Sequence, residues 1–261
     1  MPLIYFDDIR LNARQDGPAS APPLIFVHAL GLDLTIWDAV TGRLPNHRIL
    51  RYDQRGHGAS DVPEAPYTMG SLIRDAERLM DHFEMRDAVI IGLSLGGMVA
   101  QGLAVKRLDL IRGMVLSNTA ARIGTADGWA ERIADVRAGG MQAVADSTLA
   151  RWLGPRWKTH PDMPDLRDRL LGCPPQGWMG CAAAIAGSDF YTPTASLTLP
   201  TLAVAGSNDQ STPPDLVRET ADLIRGSEFH LIRGAGHVPC IDASEAFTAA
   251  LTDFLRRIGH T

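Results

Sequence analysis

The chain has 261 residues, 45% of them hydrophobic and 21% charged, with a formal net charge of −5. These figures suit one large soluble α/β domain, or a domain with an insertion, and leave no basic stripe to serve nucleic acid. Three cysteines (Cys173, Cys181, Cys240) make an odd set without metal-ligand spacing, which points to a reducing compartment and so to the cytoplasm.

The N-terminal stretch MPLIYFDDIRLNARQDG has neither a basic start nor a long apolar core, so it does not read as a signal peptide. Its alternation predicts a β-hairpin. Residues 24–27 form the first buried-strand candidate, followed by HALG. A second strand at 48–52 precedes DQRGHGAS, and residues 71–83 carry helical spacing. Residues 88–105, AVIIGLSLGGMVAQGLAV, contain no charge. A run of about 18 such residues is where a membrane span becomes thinkable. Here a β-branched start gives way to glycine, serine, two more glycines and helical spacing, which predicts strand, sharp turn and buried helix instead. Residues 113–117 are the next strand. Residues 119–198 show helical periodicity and no convincing strand, and they hold Trp129, Trp152, Trp157 and Trp178, four of the five tryptophans. They predict a helical insertion whose aromatics either line a pocket or fasten the insertion to the core. A strand at 201–205, a helix at 214–224, a strand at 228–232 and a closing helix at 243–258 complete the chain. Short strands without clean alternation, separated by helices, predict a parallel sheet buried on both faces. The domain reading is a core of residues 1–118 and 199–261 with a helical cap at 119–198.

Gly92-Leu93-Ser94-Leu95-Gly96 matches G-x-S-x-G between a strand and a helix. A serine at such a bend is presented at the carboxyl edge of the sheet, beside the amides of a helix N-terminus. Its hydroxyl needs a base. Of eight histidines, His237 in GAGHVP follows a late strand and precedes the last helix. His28 opens HALG, and His57 reads as shaping the RGHGAS turn. The orienting carboxylate is Asp209, which follows the strand at 201–205 and gives the order Ser, Asp, His. Asp189 and Asp242 share that order but follow no buried strand. Asp53 reads as a structural turn pair with Arg55. The oxyanion donors are the Leu95 amide and one from HALG, Leu30 with Ala29 the near alternative.

The strings HALG, DQRGHGAS, GLSLGG, SNDQSTPP and GAGH, in this order across the whole chain, resemble the α/β-hydrolase family with a serine nucleophile. That family usually has glycine where Ala29 stands. Within it, LSNTAARIGTADGWAERIADVRAGGMQAVAD, RWLG and GCAAAIAGSDF look like the 3-oxoadipate enol-lactonases of aromatic catabolism. The resemblance implies the α/β-hydrolase fold and an acyl-enzyme on Ser94. It further implies a small anionic lactone as substrate, no metal or organic cofactor, and neither nucleic acid nor membrane as partner. An anionic substrate on a net-negative protein calls for a local cation. Arg122 and Arg132 are the candidates, with Trp129 as a wall. A carboxylesterase, a carbon–carbon hydrolase and a small-molecule receptor are the competing readings of the same fold.

Overall fold

The computed structural model describes residues 3–261, the side chains of residues 155–157 excepted. Among them are eight strands: β1 (Leu3–Phe6), β2 (Ile9–Asp16), β3 (Pro23–Val27), β4 (Arg48–Tyr52), β5 (Ala88–Leu93), β6 (Ile111–Ser117), β7 (Thr201–Gly206) and β8 (Glu228–Ile232). The helices α1 (Asp38–Thr41), α2 (Met69–His82) and α3 (Leu95–Lys106) precede β6. Between β6 and β7 lie α4 (Ala126–Gly139), α5 (Gln142–Leu153), α6 (Met163–Gly172), α7 (Pro175–Ala186) and α8 (Tyr191–Ala195). The chain ends with α9 (Pro214–Asp222), α10 (Pro239–Asp242) and α11 (Ser244–Arg257).

The strands form one sheet in the order β1-β2-β4-β3-β5-β6-β7-β8. β1 and β2 are the expected antiparallel hairpin, and β2 joins β4 antiparallel. Every other pairing is parallel. The fold is thus the α/β-hydrolase arrangement, mostly parallel and flanked by helices. The uncharged run at 88–105 is β5 and α3, and no helix among the described residues is long and apolar enough to cross a membrane.

Burial on both faces explains the lack of strand alternation. In β3, Leu24 and Phe26 belong with Trp37, Phe247 and Phe254 on one face. Ile25 and Val27 belong with Leu72, Leu79 and Met98 on the other. All six residues of β5 are buried. Each such aliphatic side chain stabilises the fold by about 1.5–3 kcal/mol. Residue-level edges move slightly from the sequence expectation. The helix expected at 71–83 begins at Met69 because Thr68 and Ser71 form a reciprocal capping box. The closing helix is preceded by the short turn of α10.

The chain runs from β3 to β4 on one side and later places β5 on the other. The carboxyl ends of β3 and β5 therefore flank a switch point, where open α/β sheets form their ligand crevice. His28 and Ser94 follow those two ends.

Candidate active site

Ser94 sits at φ 56° and ψ −114°, a conformation that a side-chain-bearing residue rarely adopts. Its neighbours hold it there. The Ser94 amide donates to Ser117 O at 2.9 Å, and Thr119 Oγ1 donates to Ser94 O at 2.6 Å. The turn is tight enough that a Cβ at Gly92 would overlap the Gly96 carbonyl, and one at Gly96 would overlap the Val27 carbonyl. The motif's two outer glycines are therefore demanded by close backbone approach. The Ser94 hydroxyl has no hydrogen-bond partner among the described residues, and it faces a cavity of about 370 Å³ that His237 also lines.

His237 Nδ1 lies 2.7 Å from Asp209 Oδ2. Asp209 is nearly inaccessible and heavily bonded. Ser211 and Thr212 amides donate to Oδ1 at 2.7 and 3.2 Å. Thr212 Oγ1 and Asn118 Nδ2 donate to Oδ2 at 2.7 and 2.9 Å. Burial alone would raise the pKa of this carboxyl. The His237 charge and the bonds from His237, Asn118 and Thr212 outweigh it and hold the group below its usual range. With Nδ1–H given to Asp209, Nε2 of a neutral His237 is the basic nitrogen. Asn118 was not singled out in the sequence. It stands at φ 45° at the end of β6, and its Nδ2 also donates to Gly236 O at 3.1 Å. Asp242, the competing carboxylate, instead accepts from the Gly236 amide at 2.7 Å.

Leu30 lines the cavity, and Leu95 opens α3 beside Ser94. Neither amide has an acceptor among the described residues. Asp53 and Arg55 do not pair with each other. Asp53 accepts from Asn12 Nδ2 and the Leu34 and Ala59 amides, whereas Arg55 bonds Asp75 of α2 at 2.6 and 2.7 Å.

The stretch between β6 and β7 supplies much of the cavity wall. Trp129, Trp152 and Trp178 all line it, while the Trp157 side chain lies outside the described residues. Trp152 stacks on the His237 ring, with centroids 5.5 Å apart and planes at 24°. The end of α5 is tied to both loops below it. Arg151 O accepts from the Gln210 amide at 2.9 Å, and Trp152 O from the His237 amide at 2.8 Å. These are helix-terminal carbonyls that have no partner within their own helix.

The two candidate arginines part company. Arg122 is half exposed, lies 4.0 Å from Asp189 and does not line the cavity. Arg132 does line it, its guanidinium carbon 4.4 Å from the Trp129 ring centroid and 5.3 Å from that of Trp178. A second guanidinium, Arg151, lines the same cavity. Both donate to Thr148 Oγ1 at 3.3 Å, and neither has an acidic partner among the described residues. Burial, with the charge of Arg151 added, lowers the Arg132 pKa to about 9, and burial lowers that of Arg151 too. Two desolvated cations side by side without a counter-ion favour an anion between them. Among the described residues no group of three or more His, Cys, Asp or Glu side chains is placed to hold a metal ion.

A sheet of this order, with a strained serine at its switch point, is the arrangement of a broad class of hydrolases. A family model described as the alpha/beta hydrolase fold matches residues 22–244, and the chain belongs to that family. It is 30% identical to 3-oxoadipate enol-lactonase 2 of Acinetobacter baylyi, over 98% of this chain and 99% of that one. The enol-lactonase structure from Burkholderia xenovorans superposes with a TM-score of 0.93 at 33% identity, over 98% of this chain and 100% of that one. A malate-bound esterase from Thermogutta terrifontis gives 0.90 at 30% identity, over 97% of this chain and 95% of that one.

Proposed function

We propose that the protein opens the ring of 3-oxoadipate enol-lactone to give 3-oxoadipate in aromatic-compound catabolism, through an acyl-enzyme on Ser94. The observation that carries the substrate is the pair of unneutralised guanidiniums, Arg132 and Arg151, in the cavity that Ser94 and His237 share. A planar guanidinium grips a carboxylate bidentately, so the pair suits the acid side chain of such a lactone. Trp129 and Trp178 would flank the ring, and residues 119–198 would act as the cap. The similarity to enol-lactonases supports the same reading. The three cysteines, all free and buried, fit a cytoplasmic setting.

Ser94 Oγ bonds to the lactone carbonyl carbon while its proton passes to His237 Nε2. The carbonyl π pair moves to oxygen, and the oxyanion meets the Leu30 and Leu95 amides. Asp209 stabilises the imidazolium. Collapse breaks the ring C–O bond, the pair leaving on an enolate oxygen that takes the proton from His237, and the enol ketonises. Water then adds to the acyl carbon with the same histidine as base, and Ser94 is released as the acid product forms.

The test is a spectrophotometric assay on freshly generated enol-lactone, comparing wild type with Ser94→Ala. Rapid loss of the lactone with wild type and none with the variant is the expected result. The second reading is a carboxylesterase for small carboxylated esters, favoured by the similarity to the malate-bound esterase. An untouched lactone alongside cleavage of simple esters would select it.

A further inference from the structure

We infer that His28 and His57 are positioning residues for the oxyanion hole, setting the Ala29–Leu30 peptide from behind through hydrogen bonds to the loop backbone. The inference rests on the serine-hydrolase reading above.

Both rings are fully buried, 5.3 Å apart, and every ring nitrogen faces the backbone. The Gln54 amide donates to His28 Nε2 at 2.9 Å. An amide cannot accept, so His28 must carry its proton on Nδ1, which lies 2.8 Å from Ala29 O. That oxygen belongs to the same peptide unit as the Leu30 N–H. A hydrogen bond to its carbonyl fixes the plane of the unit and polarises the N–H on the opposite side, that of a residue lining the cavity. The next peptide is held as well. The Gly31 amide donates to His57 Nε2 at 2.9 Å, so His57 carries its proton on Nδ1, 3.2 Å from Arg55 O. The two imidazoles thus bolt the loop after β3 to the loop after β4, with the Gln54 side chain adding a bond to His28 O at 2.7 Å.

The arrangement requires both rings neutral. A proton on His57 Nε2 would face the Gly31 N–H and expel it. Burying two imidazoles is costly unless each polar atom is matched. Here the match is spent on the one loop whose amide must point at a developing negative charge. The turn in RGHGAS does not itself need an imidazole, since the Ser60 and Asp53 side chains already hold it.

The experiment compares His57→Leu, which leaves the Gly31 N–H unpaired, with His57→Gln, whose Oε1 can take the place of Nε2. The probes are p-nitrophenyl acetate and 1,1,1-trifluoroacetone. The ketone accepts Ser94 Oγ at its carbonyl carbon, passes the proton to His237 and places the resulting oxyanion in the hole. We expect His57→Leu to lower kcat and kcat/KM together by about 10-fold or more, and to weaken the ketone by a similar factor with KM little changed. His57→Gln should recover most of both. Thermal unfolding establishes that each variant folds. Should His57→Leu fail to fold, His57→Asn, polar but too short to reach the amide, carries the same expectations. A folded Leu or Asn variant with wild-type kcat and ketone affinity, beside an inactive Ser94→Ala, would overturn the inference. An active Ser94→Ala would instead overturn the serine reading beneath it.

Discussion

Asn118 holds a left-handed backbone conformation in order to give both its amide hydrogens away, one to Asp209 and one to Gly236 O. A bond to an ionised carboxylate is worth about 1.5–3 kcal/mol. Asn118→Leu should therefore lower kcat/KM by about 10-fold while the protein stays folded, because Asp209 keeps four other donors. Asn118→Asp should do more. A second carboxylate facing Asp209 raises the pair's protonation range, so the rise of activity with pH moves to higher pH in a kcat/KM profile. Arg132→Met and Arg151→Met should each raise KM for the carboxylated lactone by about 10-fold and leave p-nitrophenyl acetate hydrolysis within about 3-fold of wild type. An equal loss on both substrates would show that the guanidiniums only pack. Ser94, His237 and Asp209 were legible because each terminates or follows a strand at a marked turn. Arg151 was not, since it is one of several arginines in residues 119–198, and only the packing of α4 on α5 brings it beside Arg132. Arg122 lies in a string that resembles the enol-lactonases, yet its side chain turns to Asp189 at the surface.

At the scale of elements, the unit from β5 to α3 is the most constrained. Its lack of charge follows from burial of the whole strand and nearly the whole helix, and its Gly96 from backbone contact with β3. Gly96→Ala would drive a methyl group into the Val27 carbonyl. It should cost about 3 kcal/mol, the upper range for overpacking, read as a lower urea midpoint with an unchanged slope. The parallel strands were readable from sequence because sheets covered on both faces leave continuous apolar runs. The insertion was readable only as helical. Its five helices carry weak or mixed faces, because some pack on each other and some on a polar cavity, so periodicity could not say which residues face inward.

At the scale of the whole molecule, stability is expected to fall on both sides of a mildly acidic optimum. His57 is held neutral by burial, its pKa lowered to about 3. The unfolded chain takes up that proton below about pH 6.5, so stability is lost as pH falls from there toward 3. Asp242 has the opposite sign. Burial raises its pKa to about 7, against the Gly236 amide bond and with the Asp162 and Asp209 charges assisting. Its contribution is full below the unfolded value near 3.8 and is lost as pH rises through about 7. Asp242→Asn keeps an acceptor for Gly236 and should flatten the neutral-pH side of a melting-temperature profile while leaving the acid side unchanged.

Two carbonyls in the last turn of α5, those of Arg151 and Trp152, accept from the amides of Gln210 and His237, and the Trp152 indole lies flat on the imidazole. Roof and machinery are therefore riveted together along this edge. Any swing that lifted α5 would pull at the Asp209 and His237 loops at the same moment.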